Sequence, residues 1–492
     1  MRLAALASSV GMSVPAEADR AVSGFAIDHR KVRPGTVFGA FQGLSVNGED
    51  FIPDAVKAGA VAVVARPQAV VEGAAHLADD CPRRAFARLA ARYFAPAPAV
   101  IAAVTGTNGK TSVAEMTRQL WQIAGHKAAS IGTLGIVSND DVISTGMTTP
   151  DVVTFLANMN RLAGEGVTHA IYEASSHGLH QYRNEGLDVA AGAFTNLSRE
   201  HLDYHSDMDG YFAAKMRLFD EVVSDGGAAV IWADDEWSAK AIDHARKRGL
   251  NVLTVGKVGT AIRLVSSRPT HVGQRLALEC DGEVITVDLP LIGTYQVANA
   301  LVSAGLVIAT GGDPAATFAA LEKLQPVRGR LERAAVTASG APVFVDYAHT
   351  PDALRAAIDA LRPHAEGRLI LVFGAGGDRD KGKRPEMGRI AAVYADAAFV
   401  TDDNPRSEDP AAIRAMVIEG ANGVEGRCTL QDIGDRRKAI ARAISEAGSK
   451  DIVLIAGKGH EQGQVFGAGA DKRVEPFDDV TVARQMASAG GA

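Results

Sequence analysis

The stretch Thr105-Gly106-Thr107-Asn108-Gly109-Lys110-Thr111-Ser112 decides how this chain reads. It follows the apolar run from Ala99 to Val104, which has the character of a strand, and precedes a helical pattern that runs toward Gly125. Glycines let successive backbone N–H groups wrap around phosphate oxygens, the helix N-terminus adds positive potential, and Lys110 supplies a point charge. Thr111 is placed to hold a magnesium ion through its hydroxyl. The strict phosphate-loop pattern asks for glycine where this chain has Val104, so the loop is a variant and a generic switch GTPase is disfavoured. A glycine-rich turn without a ligand would leave unexplained why strand, loop, Lys-Thr pair and helix all agree.

Outward from this loop the chain repeats apolar strand, glycine-rich turn and helix, the pattern of a parallel sheet with crossover helices. In Ala170-Ile171-Tyr172-Glu173-Ala174-Ser175-Ser176-His177-Gly178 an acid ends a buried strand, where a second magnesium contact is expected. Taken alone, Glu173 could be a buried acid satisfied by neighbouring hydroxyls. Thr195-Asn196-Leu197-Ser198-Arg199-Glu200-His201-Leu202-Asp203-Tyr204-His205 follows another strand, Ala191 to Phe194, and its histidines and acids point to a metal or phosphate role. Residues 261 to 292 break the rhythm with alternating segments that read as a small antiparallel flap.

With 492 residues, and ~150 per domain, about three domains are expected. The Pro-rich stretch Phe94 to Pro98 and the segment Leu324 to Arg330 are the candidate boundaries. The expected fold is therefore α/β with three domains, 1–95, 96–325 and 326–492: a small N-terminal module, a central P-loop-type parallel-sheet ATPase domain, and a Rossmann-like doubly wound C-terminal domain. Lys plus Arg is 51 against 58 Asp plus Glu, a formal charge of -7, which disfavours a nucleic-acid binder. Cys81, Cys280 and Cys428 are widely spaced and form no Cys-x-x-Cys pair, against a disulfide framework or structural zinc. Met1 to Val10 has the outline of a signal peptide, but its apolar core is short and interrupted, so a first helix is expected. No apolar run approaches the ~18 residues of a membrane span, so a cytoplasmic protein, without membrane or nucleic-acid partner, is expected.

The last module carries Asp346-Tyr347-Ala348-His349-Thr350-Pro351, Gly374 to Arg384, Asp402-Asp403-Asn404-Pro405-Arg406 and Gly457-Lys458-Gly459-His460-Glu461. Each lies just past an apolar strand-like run, so together they should line one crevice. Any one of them could be a solvated charged rim; four at four strand ends favour a site. Cations mixed with acids suit a zwitterionic small molecule, because Arg binds a carboxylate bidentately while acids hold an ammonium.

With these motifs in order from Asp28 to the C-terminal helix, the chain resembles the Mur ligase family, and within it the branch that adds the third residue of the peptidoglycan stem peptide. The resemblance rests on Gly-Thr-Asn-Gly-Lys-Thr, Glu-x-Ser-Ser-His-Gly-Leu, Thr-Asn-Leu-Ser-Arg-Glu-His-Leu-Asp-Tyr-His and Asp-Tyr-Ala-His-Thr-Pro-Asp. It implies an ADP-forming amide ligase that uses ATP and Mg2+ to join meso-2,6-diaminopimelate to the D-glutamyl side-chain carboxylate of UDP-N-acetylmuramoyl-L-Ala-D-Glu, and a monomer. By motif match, Gly106, Thr107, Asn108, Gly109, Lys110, Thr111 and Ser112 would cradle ATP, with Asn299, Arg330, Asp346 and His349 as further nucleotide contacts. Lys110, Glu173, His201 and Lys215 would be catalytic. Thr111, Glu173, His201 and Lys215, the last as a carbamate, would serve magnesium; read without the family, Lys215 is an exposed helix residue. The nucleotide sugar would lie on Ile27, His29, Leu44, Ser45 and Val46 of a UDP-binding first domain, its peptide end reaching Thr148, Thr149, Ser175, Gln181 and Arg183.

In the diaminopimelate-adding members, Arg379 and Arg406 would bind the far carboxylate and Gly457 and Glu461 would hold the distal ammonium, with Asp403, Asn404 and Pro405 as further residues of the diaminopimelate site. Lysine lacks that second carboxylate and would leave Arg406 unpaired, a penalty of roughly 1 to 3 kcal/mol. His29 departs from the family's Ser and Met147 stands where some relatives have Asn, so uridine and peptide contacts differ in detail. The alternatives are a lysine-adding relative, a folylpolyglutamate-synthetase-like ligase, or a nucleotide-gated binding module. The Asp-Asn-Pro-Arg stretch and the N-terminal module argue against the two ligases, and intact Lys110, Glu173, His201 and Lys215 against the module.

Overall fold

The computed structural model describes residues 1–43, 46–138, 142–143, 148–270, 273–422, 424 and 428–489. Its contacts divide the chain into two compact units, Met1–Val255 with Val302–Thr317, and Gly256–Leu301 with Phe318–Ala492. Among the described residues no helix is long and apolar enough to cross a membrane.

The first unit holds two sheets. A four-stranded parallel sheet runs Gly24–Ala26, Thr36–Gly39, Ala60–Ala65, Ala75–Ala78 in spatial order. The larger sheet places Val100–Thr105 between Val189–Phe194 and His169–Glu173, all parallel. It extends through Val223–Trp232 and Asn251–Gly256 on one side and Ala128–Gly132 on the other, where the hairpin strand Gly135–Val137 turns antiparallel. Ile101 to Val104 are at most 2% exposed, as expected of strands covered on both faces, which read as continuous apolar runs rather than alternating ones. The helix Lys110–Ile123 packs Val113, Met116 and Leu120, the i, i+3, i+7 stripe, against that sheet. One apolar cluster joins Leu3, Leu6, Phe25 and Phe86 of the N-terminal segment to Phe155, Tyr172 and Phe194. Met1 to Val10 thus contains the expected first helix, Leu3–Ser8, with Leu3, Leu6 and Ala7 buried.

The second unit contains the expected antiparallel flap, Ile262–Pro269, Gln274–Cys280 and Glu283–Leu289. Its main sheet is six-stranded, in the order Glu332–Val336, Pro342–Asp346, Ile452–Ala456, Leu369–Phe373, Ala397–Val400, Thr429–Asp432, parallel except for the first pair. The helix Pro351–Leu361 begins where the Thr350 hydroxyl accepts from the Ala353 N–H and Pro351 presets the first turn. Strand order reverses between Pro342–Asp346 and Leu369–Phe373, on either side of Ile452–Ala456, and a doubly wound sheet offers its crevice at such a switch.

Candidate active site

Parallel register brings the first unit's motifs together. Val104 pairs with Glu173, and Thr105 with Phe194, so Glu173 and Thr195 both emerge beside the glycine loop. Val104, fully buried in the ladder, stands where the strict pattern has glycine. Gly106 and Gly109 have φ of 145° and 91°, and a Cβ at Gly106 would overlap the Thr195 hydroxyl. Only glycine suits such a position.

The Thr195–Ser198 segment straps the loop. Thr195 Oγ1 donates to the Asn108 carbonyl (2.6 Å), Asn196 Oδ1 accepts from the Asn108 N–H (2.9 Å), and the Ser198 N–H donates to Thr107 Oγ1 (3.0 Å). The sequence marked this segment for its histidines and acids. Its Thr, Asn and Ser were missed, since nothing local says that they reach a loop almost ninety positions earlier.

Lys110 Nζ donates to the carbonyls of Gly106 (2.8 Å) and Thr107 (2.7 Å). Lys215 Nζ donates to the same Gly106 carbonyl at 2.7 Å and lies 4.4 Å from the centre of the Tyr211 ring. The expectation of an exposed Lys215, read from its helix alone, is corrected: Lys215 is 1% exposed, because Met208–Arg217 turns Tyr211 and Lys215, four residues apart, inward on one face. Burial, and next the charge of Lys110, hold its ammonium well below the ordinary lysine range, while Glu200 opposes them.

Glu173 is 1% exposed, with Oε1 accepting from the Thr133 N–H (2.7 Å) and Oε2 from the Thr133 hydroxyl (3.2 Å). These are the bonds a buried acid needs, and a carboxylate so held keeps lone pairs for a cation. His201, in left-handed backbone at φ 57°, is partly exposed, with Nε2 3.7 Å from Glu200 Oε2. His205 is committed elsewhere: Nε2 lies 2.9 Å from Ser176 Oγ, and burial, then neighbouring His177, His180, His201 and Lys215, lower its pKa to about 4. Among the described residues no three His, Cys, Asp or Glu side chains converge on a metal position. Thr111 and Glu173 offer oxygen donors, which suits magnesium, an ion that keeps waters and substrate phosphates in its shell. Lys215, as an amine, donates hydrogen bonds and fits a cation only as a carbamate.

The predicted peptide-end residues form one hydrogen-bonded cluster. Arg183 donates to the Thr149 carbonyl (2.8 Å) and to Gln181 Oε1 (2.7 Å), Thr149 Oγ1 to Ser175 Oγ (2.9 Å), and Thr133 Oγ1 to Thr148 Oγ1 (3.1 Å). Gln181 Nε2 also donates to the Tyr204 hydroxyl at 3.0 Å, a residue the sequence had not assigned to this cluster. Of the predicted nucleotide-sugar residues, Ile27 and Val46 are 38% and 57% exposed, and His29 stacks on Phe51 with ring centres 4.4 Å apart. Leu44, Ser45 and Met147 lie outside the described residues.

In the second unit, Asp346 ends its strand and accepts from the Leu331 N–H (2.7 Å), the Ala348 N–H (2.8 Å) and the Tyr295 hydroxyl (3.3 Å). Burial raises its pKa against the pull of Arg330 and these bonds. Asn299 Nδ2 donates to Gln296 Oε1 (3.3 Å), whose amide donates to the Arg330 carbonyl (3.1 Å). The Arg330 guanidinium sits 4.5 Å over Tyr347, and the His349 ring nitrogen Nδ1 is 3.0 Å from the Tyr347 carbonyl. Asn299, Arg330, Asp346 and His349 thus form one connected neighbourhood.

The remaining motifs meet beside the strand ends. Asn404 Nδ2 donates to Glu461 Oε2 (2.8 Å), and Gly457, at φ 119°, would bring a Cβ to 2.5 Å from Asp403 Oδ2. Arg406, at φ 53°, donates through Nη1 to the Gly377 carbonyl (2.7 Å), with Pro405 buried beside it. Arg406 therefore keeps a backbone partner in the absence of a second carboxylate, contrary to the expectation that it would be left unpaired. Arg379 stays on the exposed rim, donating a long 3.4 Å bond to the Asp378 carbonyl. A separate cavity of about 840 Å3, lined by Leu291, Leu324, Pro342, Phe344 and Ile452 among others, sits at the amino ends of these strands, away from the motifs just past the carboxyl ends of Leu369–Phe373, Ala397–Val400 and Ile452–Ala456.

Residues 21–100 match the Mur ligase family catalytic domain, 104–307 the Mur ligase middle domain and 329–459 the Mur ligase glutamate ligase domain. The chain belongs to the Mur ligase family. It is 60% identical to the UDP-N-acetylmuramoyl-L-alanyl-D-glutamate--2,6-diaminopimelate ligase of Zymomonas mobilis over 98% of each chain, and 51% identical to the protein of the same name from Bradyrhizobium diazoefficiens over 99% of each. A solved structure of a ligase of that name superposes with a TM-score of 0.70 at 32% identity, covering 96% of each chain. The Mycobacterium tuberculosis folylpolyglutamate synthase complexed with ADP shares the fold over 77% of this chain (91% of its own) at 21% identity, TM-score 0.63.

Proposed function

We propose that this chain is an ATP-dependent, ADP-forming ligase that joins meso-2,6-diaminopimelate to the D-glutamyl side-chain carboxylate of UDP-N-acetylmuramoyl-L-Ala-D-Glu, in cytoplasmic peptidoglycan precursor synthesis. The observation that carries this is the 60% identity over 98% of both chains to a ligase so named. We assign 1–95 to the nucleotide sugar, 96–325 to ATP and 326–492 to the amino acid, a division supported by the bounds of the matched family domains.

Forming an amide from carboxylate and ammonium in water is uphill, and a carboxylate is a poor electrophile. The γ-phosphoryl of ATP passes to the carboxylate, giving an acyl phosphate. The diaminopimelate amine attacks, and the tetrahedral intermediate collapses to amide and phosphate. Catalysis of such transfer is positioning and charge neutralisation. The strapped glycine loop presents its N–H groups to the phosphates, and Lys110 moves from the Gly106 and Thr107 carbonyls to the transferring charge. Thr149, Ser175, Gln181 and Arg183 orient the acceptor peptide. Thr111, Glu173, His201 and carbamylated Lys215 would hold magnesium, which when bound offsets phosphate charge. Asn404, Glu461 and Arg406 hold the diamino acid, the carboxylate of Glu461 taking its ammonium and Arg406 its carboxylate.

The test is ADP release by the purified chain with the muramoyl dipeptide and meso-diaminopimelate, lysine or no amino acid. Release that depends on diaminopimelate is expected. Equal release with lysine would move the chain to the lysine-adding branch, and none with either would refute a ligase.

A further inference from the structure

The loop after strand Ile452–Ala456 buries an ammonium that the chemistry above does not use. Lys458 is 0% exposed, and its Nζ donates to Asn404 Oδ1 (3.0 Å) and Glu461 Oε2 (3.2 Å). A cation taken fully out of water is tolerated only when paired and hydrogen-bonded. Its two partners are those read above as the amino-acid contacts.

The bonds leave each partner one arrangement. Asn404 Oδ1 accepts from Lys458 and from the Val465 N–H (3.0 Å), so its amide nitrogen is turned to Glu461 Oε2 at 2.8 Å. Flipping the amide would press its NH2 against both the Lys458 ammonium and the Val465 N–H. Both bonds to Glu461 converge on Oε2, and Oε1 carries no hydrogen bond among the described residues, in a side chain that is 31% exposed. Around this triad, Arg436 and Asp479 form a fully buried pair, and Asp403 Oδ2 is buried without a hydrogen-bond partner among the described residues. Asp479, Asp403 and Glu461 all act on Arg436. In formal charge, three carboxylates thus face two cations, Arg436 and Lys458, one negative charge more than the cluster balances. One ligand ammonium restores neutrality.

We propose that Lys458 is a positioning residue that locks Asn404 and Glu461 so that Glu461 Oε1 is presented to a single ligand ammonium. This rests on the reading that Asn404 and Glu461 hold the diamino acid. Lys458 does not touch the substrate; it acts through the other two.

Lys458→Met keeps the side chain's bulk and removes its charge and donors. The expected result is a KM for meso-diaminopimelate raised about tenfold or more, with the KM values for ATP and the muramoyl dipeptide and the saturated kcat within about twofold of the native chain. Combining Lys458→Met with Asn404→Ala should give a loss well short of the product of the single losses, since the residues act as a unit. An unchanged diaminopimelate KM, multiplicative losses, or a parallel rise in all three KM values would overturn the proposal. Should Lys458→Met not fold, Lys458→Gln, which keeps a donor and removes the charge, asks the same question: a rise confined to the diaminopimelate KM supports the lock, and an unchanged KM overturns it. The native chain separates the two levels. If it shows no diaminopimelate-dependent ADP release, the underlying reading fails and the proposal with it; if it does and the variants behave as independent, Lys458 alone loses its role.

Discussion

The ammonium groups of Lys110 and Lys215, more than a hundred residues apart, donate to one oxygen, the carbonyl of Gly106, at 2.8 and 2.7 Å. Two cations on one acceptor repel, and burial together with the charge of Lys110 holds the Lys215 ammonium well below the ordinary lysine range. In the proposed chemistry Lys110, on the loop, would neutralise phosphate, and Lys215, on helix Met208–Arg217, would react as a free amine with carbon dioxide.

For Lys110, removal of the charge at the transferring phosphoryl should be severe. Lys110→Ala is expected to lower kcat by about two to three orders of magnitude, the scale seen when one stabilising donor is lost. Equilibrium binding of the nucleotide sugar should persist. Retained turnover would remove Lys110 from the chemistry.

For Lys215, the lowered folded-state pKa has a definite sign. Between that value and the ordinary 10.5, the unfolded chain binds more protons than the folded one, so stability rises with pH. Lys215→Met should flatten this slope in urea melts taken from neutral to alkaline pH in carbon-dioxide-free buffer. In the same buffer the native chain should lose activity and regain it on adding bicarbonate; indifference to bicarbonate would argue against the carbamate.

Arg406 keeps a bond to the Gly377 carbonyl, so its loss should be selective rather than catastrophic. Arg406→Ala is expected to lower kcat/KM for meso-diaminopimelate by about tenfold, roughly 1.4 kcal/mol, with little change for lysine. The ratio of the two specificity constants is the measurement, and an unaltered ratio counts against a carboxylate contact.

The side chains of Asp479 and Arg436 are both 0% exposed and joined by two bonds of 2.8 and 2.7 Å. Asp479→Leu would leave the buried guanidinium without its bonded carboxylate, with an expected loss of about 3 to 5 kcal/mol. Faster amide exchange in strand Ile452–Ala456, whose Ala456 carbonyl also accepts from Arg436, would report it; protection equal to the native chain would show the pair to be dispensable.

Much of the candidate site was legible because its motifs are contiguous and follow apolar runs. The loop from Gly106 to Ser112, Glu173 at a strand end, and the four clusters from Asp346 to Glu461 all lie where the rhythm of strand and turn put them. Less legible were Thr195, Asn196 and Ser198 as straps, because their partners Thr107 and Asn108 are far away in the chain. Lys458 stood inside a recognised motif, yet nothing about a lysine between two glycines says that it is buried.

The amino-acid order by itself determined the alternation of strands and helices, the glycine positions that need positive φ, and the chemistry at each strand end, all properties of neighbours in the chain. Tertiary structure decided which charged groups leave water. Helix Met208–Arg217 mixes Asp209, Lys215 and Arg217 with Tyr211, Phe212 and Met216, so it has no clean apolar stripe to show which side turns inward. The burial of Lys215 and Lys458, and with it the low proton affinity of the first and the locking of Asn404 and Glu461 by the second, follows only when distant segments close over them, because desolvation depends on everything nearby in space rather than on what is adjacent in sequence.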